Sequence, residues 1–176
     1  MTDHGLLPQH YAHQVVILHP ETVPVLDKYP PFQAPNPYNA EASQEQQNSI
    51  DQLFLEIYDP TTPCSFVMYA GYFTKNDWGL SAGFDEPDGT WVLGGRLNYV
   101  LFGAPLKESL FATTTERWDH VAFTELSYVW ADDRSWFLAC PPDLSFTLIG
   151  SDNETLADRL LAHPELNALE WTQDAC

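Results

Sequence analysis

Short apolar segments separated by turn residues run along most of the chain, and their lengths predict strands rather than long helices. Runs rich in β-branched and aromatic residues and bounded by Gly, Pro, Asn or Asp are typical of strands. Residues 90–93 and 96–102 form either a strand pair or one bulged strand, since Gly94 and Gly95 separate them. The other predicted strands are residues 13–19, 64–73, 125–130, 135–140, 145–150 and 165–171.

Apolar residues spaced three and four apart predict helices in three places. The clearest stripe ends before Asp59-Pro60 and consists of Ile50, Leu53, Phe54, Ile57 and Tyr58. A short helix is predicted over residues 104–112, with Leu106, Leu110 and Phe111 directed inward. Ser151 and Glu154 match the S-x-x-E capping box, which predicts a helix that His163-Pro164 ends and whose apolar face is Leu156, Leu160 and Leu161.

Clusters of strands with occasional helices predict an α+β fold with a mainly antiparallel sheet and two or three packed helices. The chain has 176 residues, contains no internal repeat and is expected to form a single domain over 1–176. Residues 1–12 are expected to be a flexible N-terminus. Residues 29–38 are proline-rich and are expected to form an extended loop, because proline lacks an N–H and restricts the residue before it.

The C-terminal part of the chain resembles a family of small acidic proteins common in actinobacteria. Residues 134–170 carry the resemblance, with Asp133-Arg134-Ser135-Trp136 as a DRxW motif and a capped helix that contains Leu-x-Asp-x-Leu-Leu-Ala. The chain departs from the family pattern at residues 150–153, which lack the arginine of a Gly-Gly-Ser-Arg turn. The resemblance implies a hairpin, a strand, a helix and a final strand, and it brings no active site with it.

The charge balance excludes more functions than it suggests. The chain has 25 Asp and Glu but only 7 Lys and Arg, which gives a net charge of −18. The cations are scattered, whereas binding to nucleic acid or to anionic lipid needs clustered Lys and Arg. No nucleic-acid partner and no membrane partner are therefore expected. Hydrophobic residues make up 44% of the chain, which favours a folded core over disorder.

Cofactor and metal motifs are weak. The three cysteines are far apart without a CxxC, which favours a reducing cytoplasm over a disulfide scaffold or a thiolate zinc site. His10 and His13 form an HxxH and are the only metal candidates, but no HExxH follows them. Glycine-rich phosphate motifs are missing from the sequence. No cofactor is expected.

Two arrangements could support catalysis. Asp119 and His120 are adjacent, and a carboxylate beside an imidazole could set its tautomer for general-base chemistry. Successive residues of a strand point to opposite faces, which would separate this pair. Cys140 at the end of a strand could be a nucleophile, although an isolated cysteine in an apolar run is more often a small core residue.

These observations favour a non-enzymatic protein-interaction domain, immunity- or inhibitor-like, that binds a basic protein partner. A strongly anionic surface would speed such an encounter. A small hydrolase or transferase using Asp119 and His120, or Cys140, is the first alternative. In the second alternative, the acidic residues serve only to keep the protein soluble. The candidate binding residues are Asp85, Glu86, Asp88, Trp118, Asp132 and Asp133.

Overall fold

The computed structural model describes residues 11–24, 32–33, 42–69, 90–94, 97–111, 126–140 and 144–171. Its helices are α1 (Gln44–Ile57) and α2 (Glu154–Ala162), and a 3-10 turn spans Leu106–Glu108. Its strands are β1 (His13–Leu18), β2 (Val23–Pro24), β3 (Phe32–Gln33), β4 (Pro63–Tyr69), β5 (Thr90–Gly94), β6 (Leu97–Pro105), β7 (Leu126–Ala131), β8 (Trp136–Ala139), β9 (Phe146–Ser151) and β10 (Asn167–Glu170).

Eight of these strands form one sheet in the order β10-β1-β9-β8-β7-β4-β6-β5, and every neighbouring pair is antiparallel. The predicted single-domain α+β fold with a mainly antiparallel sheet is confirmed. Within the proline-rich segment, Phe32 and Gln33 pair with Pro24 and Val23 in a small second sheet. No helix within the described ranges is both long and apolar enough to span a membrane.

Helix α1 begins at a capping box that the periodicity alone did not reveal. The Ser43 hydroxyl accepts the backbone N–H of Gln46 at 3.2 Å, and the Gln46 side chain accepts the backbone N–H of Ser43 at 3.2 Å. This pair satisfies two donors that a helix start would otherwise leave without a partner. The helix then buries Ile50, Leu53 and Phe54 against the sheet, as their spacing predicts.

The N-cap predicted for the helix that ends at His163-Pro164 is wrong. Ser151 still belongs to β9, where it pairs with His13 and Trp136, so its backbone is extended. Asn153 is the N-cap of α2, and its side chain accepts the backbone N–H of Leu156 at 3.3 Å. The first helical residue is therefore Glu154. The inward face is made of Leu156, Ala157 and Leu160, while Leu161 is 39% exposed.

The α-helix predicted over 104–112 is wrong at its start, where the structure has strand and then a 3-10 turn. Ala104 and Pro105 extend strand β6 by pairing with Cys64 and Pro63 of β4. The residues that follow make a single 3-10 turn from Leu106 to Glu108. The inward residues were predicted correctly, because Leu106, Leu110 and Phe111 are all buried.

Both described helices pack on one face of the sheet, called here the helical face. The main core lies between these helices and the sheet. The sheet contributes core residues from β1, β4, β6, β7, β8 and β9. Strand β7 has a bulge at Ser127, because Val67 pairs with Tyr128 whereas Met68 pairs with Leu126. The extra residue reverses the alternation of β7, so that Leu126 and Val129 both reach the helical core.

Candidate functional site: an aromatic band on the second face of the sheet

The face of the sheet opposite the helices, called here the second face, has two regions. Around β1, β8 and β9 it is closed, since Val16, Leu148 and Phe146 are each at most 1% exposed. Across β6, β4, β7 and β8 it carries large aromatic side chains, of which four are only half-buried. The registers that align these strands place Ser65, Trp130, Phe137 and Gly150 in one row of neighbours.

The aromatic side chains form a continuous series of ring contacts, called here the aromatic band. The ring centroids of Tyr69 and Tyr99 are 6.4 Å apart, and those of Tyr99 and Tyr128 are 5.6 Å apart. The contact from Tyr128 to Phe137 is 6.0 Å, and that from Phe137 to Trp130 is 5.9 Å. The last two rings are nearly parallel, at 12°. Five rings thus connect four neighbouring strands.

Two phenol groups in the band are hydrogen-bonded to each other. Burial raises the pKa of both Tyr99 and Tyr128, and the hydrogen bond from Tyr128 to Tyr99 raises the pKa of Tyr128 further. Tyr99 is 7% exposed, while Tyr128 is half-buried. These phenols therefore stay neutral at physiological pH, and the band presents apolar ring surface together with neutral hydroxyl groups.

The β7–β8 turn places three charged residues beside the band. The Ser65 hydroxyl donates to Asp132 Oδ1 at 2.8 Å, and the Ser135 backbone N–H donates to Asp133 Oδ1 at 2.9 Å. Hydrogen bonds from the Ser135 backbone and side chain lower the pKa of Asp133. Arg134 has a φ of 64°, the left-handed conformation that a short hairpin turn requires at its last position.

The Arg134 side chain covers the end of the band. Its Cζ atom lies 5.1 Å from the centroid of the Trp130 ring, within the range of a cation–π contact. Arg134 is exposed, and it forms no ion pair with any residue inside the described ranges. The cation–π contact with Trp130 is thus its principal interaction in that part of the chain.

The row of neighbours from Ser65 to Gly150 is covered by another side chain at one end and has free space at the other. At one end the Tyr11 ring lies over Gly150, and a Cβ added to Gly150 would stand 2.5 Å from Tyr11 Cδ2. At the other end Gly103 pairs with Ser65, and a Cβ added to Gly103 would have no atom within 4 Å. The second face is therefore open to solvent beside Ser65 and Trp130.

The structure brings only some of the sequence-predicted site residues to this region. Asp132 and Asp133 lie in the β7–β8 turn at the end of the band. His13 is half-buried on β1, and no group of three or more potential metal ligands occurs in the part of the chain that the structure describes. Cys140 is 7% exposed and belongs to the main core. The candidates outside the described residues are His10, Asp85, Glu86, Asp88, Trp118, Asp119 and His120.

Sequence reasoning did not identify the band itself. Tyr128, Trp130 and Phe137 do carry a local signal, because they alternate with core residues along a predicted hairpin. Tyr69 and Tyr99 join them only through the pairing of β4 with β6 and β7. That pairing connects segments far apart in the chain, and no local pattern specifies it.

Cys64 is expected to resist alkylation in the folded protein. Burial, with Asp132 and Asp133 nearby, raises the pKa of its thiol from 9.0 to about 12. At pH 8 the reactive thiolate is then about one part in ten thousand. Iodoacetamide at pH 8, followed by mass spectrometry of the Cys64 peptide, should show little label in native protein and full label in guanidinium chloride. Labelling of the native protein at the rate of a free thiol would contradict the burial of Cys64.

The same pKa shift has a defined effect on stability. The thiol pKa is higher in the folded state than in the unfolded state, so the stabilisation is complete below about pH 9. It is lost as the pH rises from about 9 to about 12, because the unfolded chain releases this proton first. Cys64 therefore makes the protein less stable at alkaline pH and has no such effect at neutral pH.

Comparison with known proteins adds no relative to these observations. No protein-family model matches the chain, and neither the curated proteins nor the solved structures yield a match. The resemblance of residues 134–170 to small acidic actinobacterial proteins therefore stays a prediction.

Proposed function

We propose that this protein is a non-enzymatic interaction domain that binds a basic protein partner through the aromatic band. The observation that carries the proposal is the contact of five aromatic rings across four strands, on the face opposite both described helices. Tyr, Trp and Phe are enriched in protein interfaces, and Trp and Tyr are frequent among the residues that dominate binding energy. A sheet face with this composition suits a protein ligand.

A partner can reach the band without unfolding of the described structure. Tyr69, Tyr128, Trp130 and Phe137 all retain part of their surface in water. The open space at Gly103 lies on the same face. Covering these partly buried rings would remove their remaining apolar surface from water, at a gain of roughly 25 cal/mol per Å². The band can therefore supply binding energy as well as shape.

The charge of the protein favours a basic partner over a neutral or acidic one. The net charge is −18, and the two exposed carboxylates of Asp132 and Asp133 stand at the end of the band. The lowered pKa of Asp133 keeps that carboxylate charged under mildly acidic conditions. Anionic charge around an aromatic surface accelerates encounter with a cationic partner, and the ring faces also attract cations at contact.

If the acidic residues served only to keep the protein soluble, the net charge would be explained but the aromatic band would not. Aromatic rings that keep part of their surface in water do not raise solubility, so a solubility role gives no reason for them to lie together on one face. A partner-binding surface uses both features together. This immunity- or inhibitor-like role fits the described residues better than a solubility role does.

The test adds a cation to the proposed surface without removing any existing side chain. Gly103→Lys places an ammonium group in open space on the second face, and Thr155→Lys places one on the exposed surface of α2. The two variants have equal net charge. Binding of a peptide of alternating lysine and glycine would be followed by calorimetry at low salt, and by the NMR shifts of backbone amides.

We expect Gly103→Lys to weaken peptide binding by about threefold or more relative to Thr155→Lys, because the added cation faces the bound peptide. Amide shifts should be largest in β4, β6, β7 and β8. Equal affinities of the two variants, or shifts that are largest in α1 and α2, would overturn the proposal. In that case binding would depend only on net charge or would use another surface.

A further inference from the structure

We infer that Trp130, Asp132 and Asp133 form an arginine-binding site, whose Trp130 ring Arg134 covers in the free protein and which an arginine of the partner takes over. This inference rests on the proposed function, and it names the residue type by which the partner is recognised. It also assigns Arg134 a role as an internal competitor.

The position of Arg134 shows that the Trp130 ring accepts a guanidinium group. The Arg134 Cζ atom lies 5.1 Å from the ring centroid. Phe137 lies nearly parallel to the Trp130 ring, at 12°, and supports its orientation. An indole ring held by an aromatic neighbour is the best of the side-chain surfaces for a cation, and arginine is the cation most often found on one.

Arg134 is held weakly enough to be displaced. Its side chain is exposed, and within the described ranges it forms no ion pair despite its two acidic neighbours. Its φ of 64° lies in the left-handed region, which arginine does not favour, so the hairpin turn imposes this backbone conformation. A single exposed cation–π contact contributes roughly 0.5–1 kcal/mol. An arginine that also pairs with carboxylates can therefore replace it.

The adjacent carboxylates can give an incoming arginine what Arg134 lacks. Asp132 accepts the Ser65 hydroxyl through Oδ1, and Asp133 accepts the Ser135 N–H through Oδ1. Asp133 also accepts a hydrogen bond from the Ser135 side chain. These bonds orient both carboxylates, and an ionised carboxylate, with about four acceptor positions, can still accept another donor. Arg134 belongs to the same short turn, which limits its reach back to them. A guanidinium from outside can approach the ring and the carboxylates together, with several donors in one plane.

This arrangement predicts a preference for arginine over lysine. A planar guanidinium stacks on an indole and pairs with carboxylate in the same plane, whereas an ammonium group acts as a point charge. It also predicts that removal of the Arg134 guanidinium strengthens binding of arginine. Loss of a charge alone would strengthen binding to any cation, so a charge-matched control is required.

The test compares two peptides, one of alternating arginine and glycine and one of alternating lysine and glycine. The variants are Arg134→Gln, the charge-matched Arg159→Gln on α2, and Trp130→Leu, which keeps apolar bulk in strand β7. Affinities would be measured by calorimetry, with circular dichroism as the check of folding. The NMR signal of the Trp130 indole N–H reports directly on occupation of the ring.

We expect the native protein to bind the arginine peptide about threefold more tightly than the lysine peptide, and Trp130→Leu to abolish this preference. Arg134→Gln should raise affinity for the arginine peptide about three- to fivefold beyond the effect of Arg159→Gln. The Trp130 indole signal should shift on addition of the arginine peptide.

Two results would overturn this inference, and they separate it from the proposed function. Equal binding of the two peptides, each still weakened by Gly103→Lys, would leave the aromatic band as the binding surface but exclude an arginine site. Equal effects of Arg134→Gln and Arg159→Gln would exclude competition by Arg134. If binding of both peptides is also insensitive to Gly103→Lys, then the proposed function fails as well.

Discussion

Replacement of Trp136 by alanine is expected to lower the free energy of unfolding by about 3–5 kcal/mol. The side chain is fully buried, at 0% exposure, in the core between the sheet and the helices. Its ring contacts that of Phe54 edge-on at 4.8 Å and that of Tyr58 at 5.9 Å. Truncation would leave a large cavity that the two aromatic neighbours cannot fill without loss of their own packing. Urea denaturation at neutral pH measures this loss.

The more informative variant is Trp136→Phe. The indole Nε1–H is buried and has no hydrogen-bond acceptor among the described residues. An unsatisfied buried donor costs roughly 1–3 kcal/mol, and phenylalanine removes that donor while keeping a ring against Phe54. We therefore expect Trp136→Phe to lose at most about 1 kcal/mol, because relief of the donor offsets the smaller ring.

The outcomes of the two Trp136 variants separate packing from hydrogen bonding. If Trp136→Phe loses as much as Trp136→Ala, then Nε1 has a partner in solution, such as a buried water. Leu161→Ala is the control, because Leu161 is 39% exposed on α2 and its truncation should change stability by no more than about 0.5 kcal/mol. The dependence of the free energy on urea concentration should be the same for all three variants.

The local features of the fold follow from the sequence, while its long-range features do not. The stripe of Ile50, Leu53 and Phe54 predicts α1 and its buried face correctly, because helical periodicity is a property of neighbouring residues. Ser151 shows the limit of a short motif. Its S-x-x-E spacing is satisfied, yet pairing with Trp136 keeps it in a strand, and Asn153 caps the helix. The pairing of Ser151 depends on β8, which lies outside the motif.

The candidate site depends even more strongly on such distant pairing. Asp132 and Asp133 could be selected from the sequence as turn carboxylates, and Tyr128 and Trp130 alternate visibly along β7. Their connection to Tyr99 requires the β4–β6 and β4–β7 registers. The bulge at Ser127 then decides which residues of β7 face the helices. Neither the registers nor the bulge leaves a local pattern that would reveal the aromatic band.

Gly150 is expected to be far less replaceable than Gly103, for a reason of packing rather than of backbone conformation. A Cβ at this position would lie 2.5 Å from Cδ2 and 3.0 Å from Cγ of Tyr11, so the ring must move. Tyr11 is only 5% exposed, and the next residue is fixed by the bond from the Ala12 N–H to Asp152 Oδ1 at 2.9 Å. Gly150→Ala should therefore destabilise the protein by about 1–3 kcal/mol.

A matched glycine provides the control for this prediction. Gly103 lies in strand β6, where an added Cβ would have no atom within 4 Å. Gly103→Ala should leave stability unchanged or raise it by about 0.5 kcal/mol, because alanine loses less conformational freedom on folding than glycine does. Thermal or urea denaturation of both variants thus compares the same chemical change with and without the clash.

A double-mutant cycle identifies Tyr11 as the cause. Tyr11→Ala removes the ring at its own cost, and Gly150→Ala in that background should then cost almost nothing. We expect a coupling free energy of about 1–3 kcal/mol between the two positions, since residues in direct contact are not additive. Additive effects would show that Gly150 is required for another reason and that Tyr11 does not lie over it in solution. The coupling therefore tests directly whether Tyr11 packs against the second face at the row that contains Phe137 and Trp130.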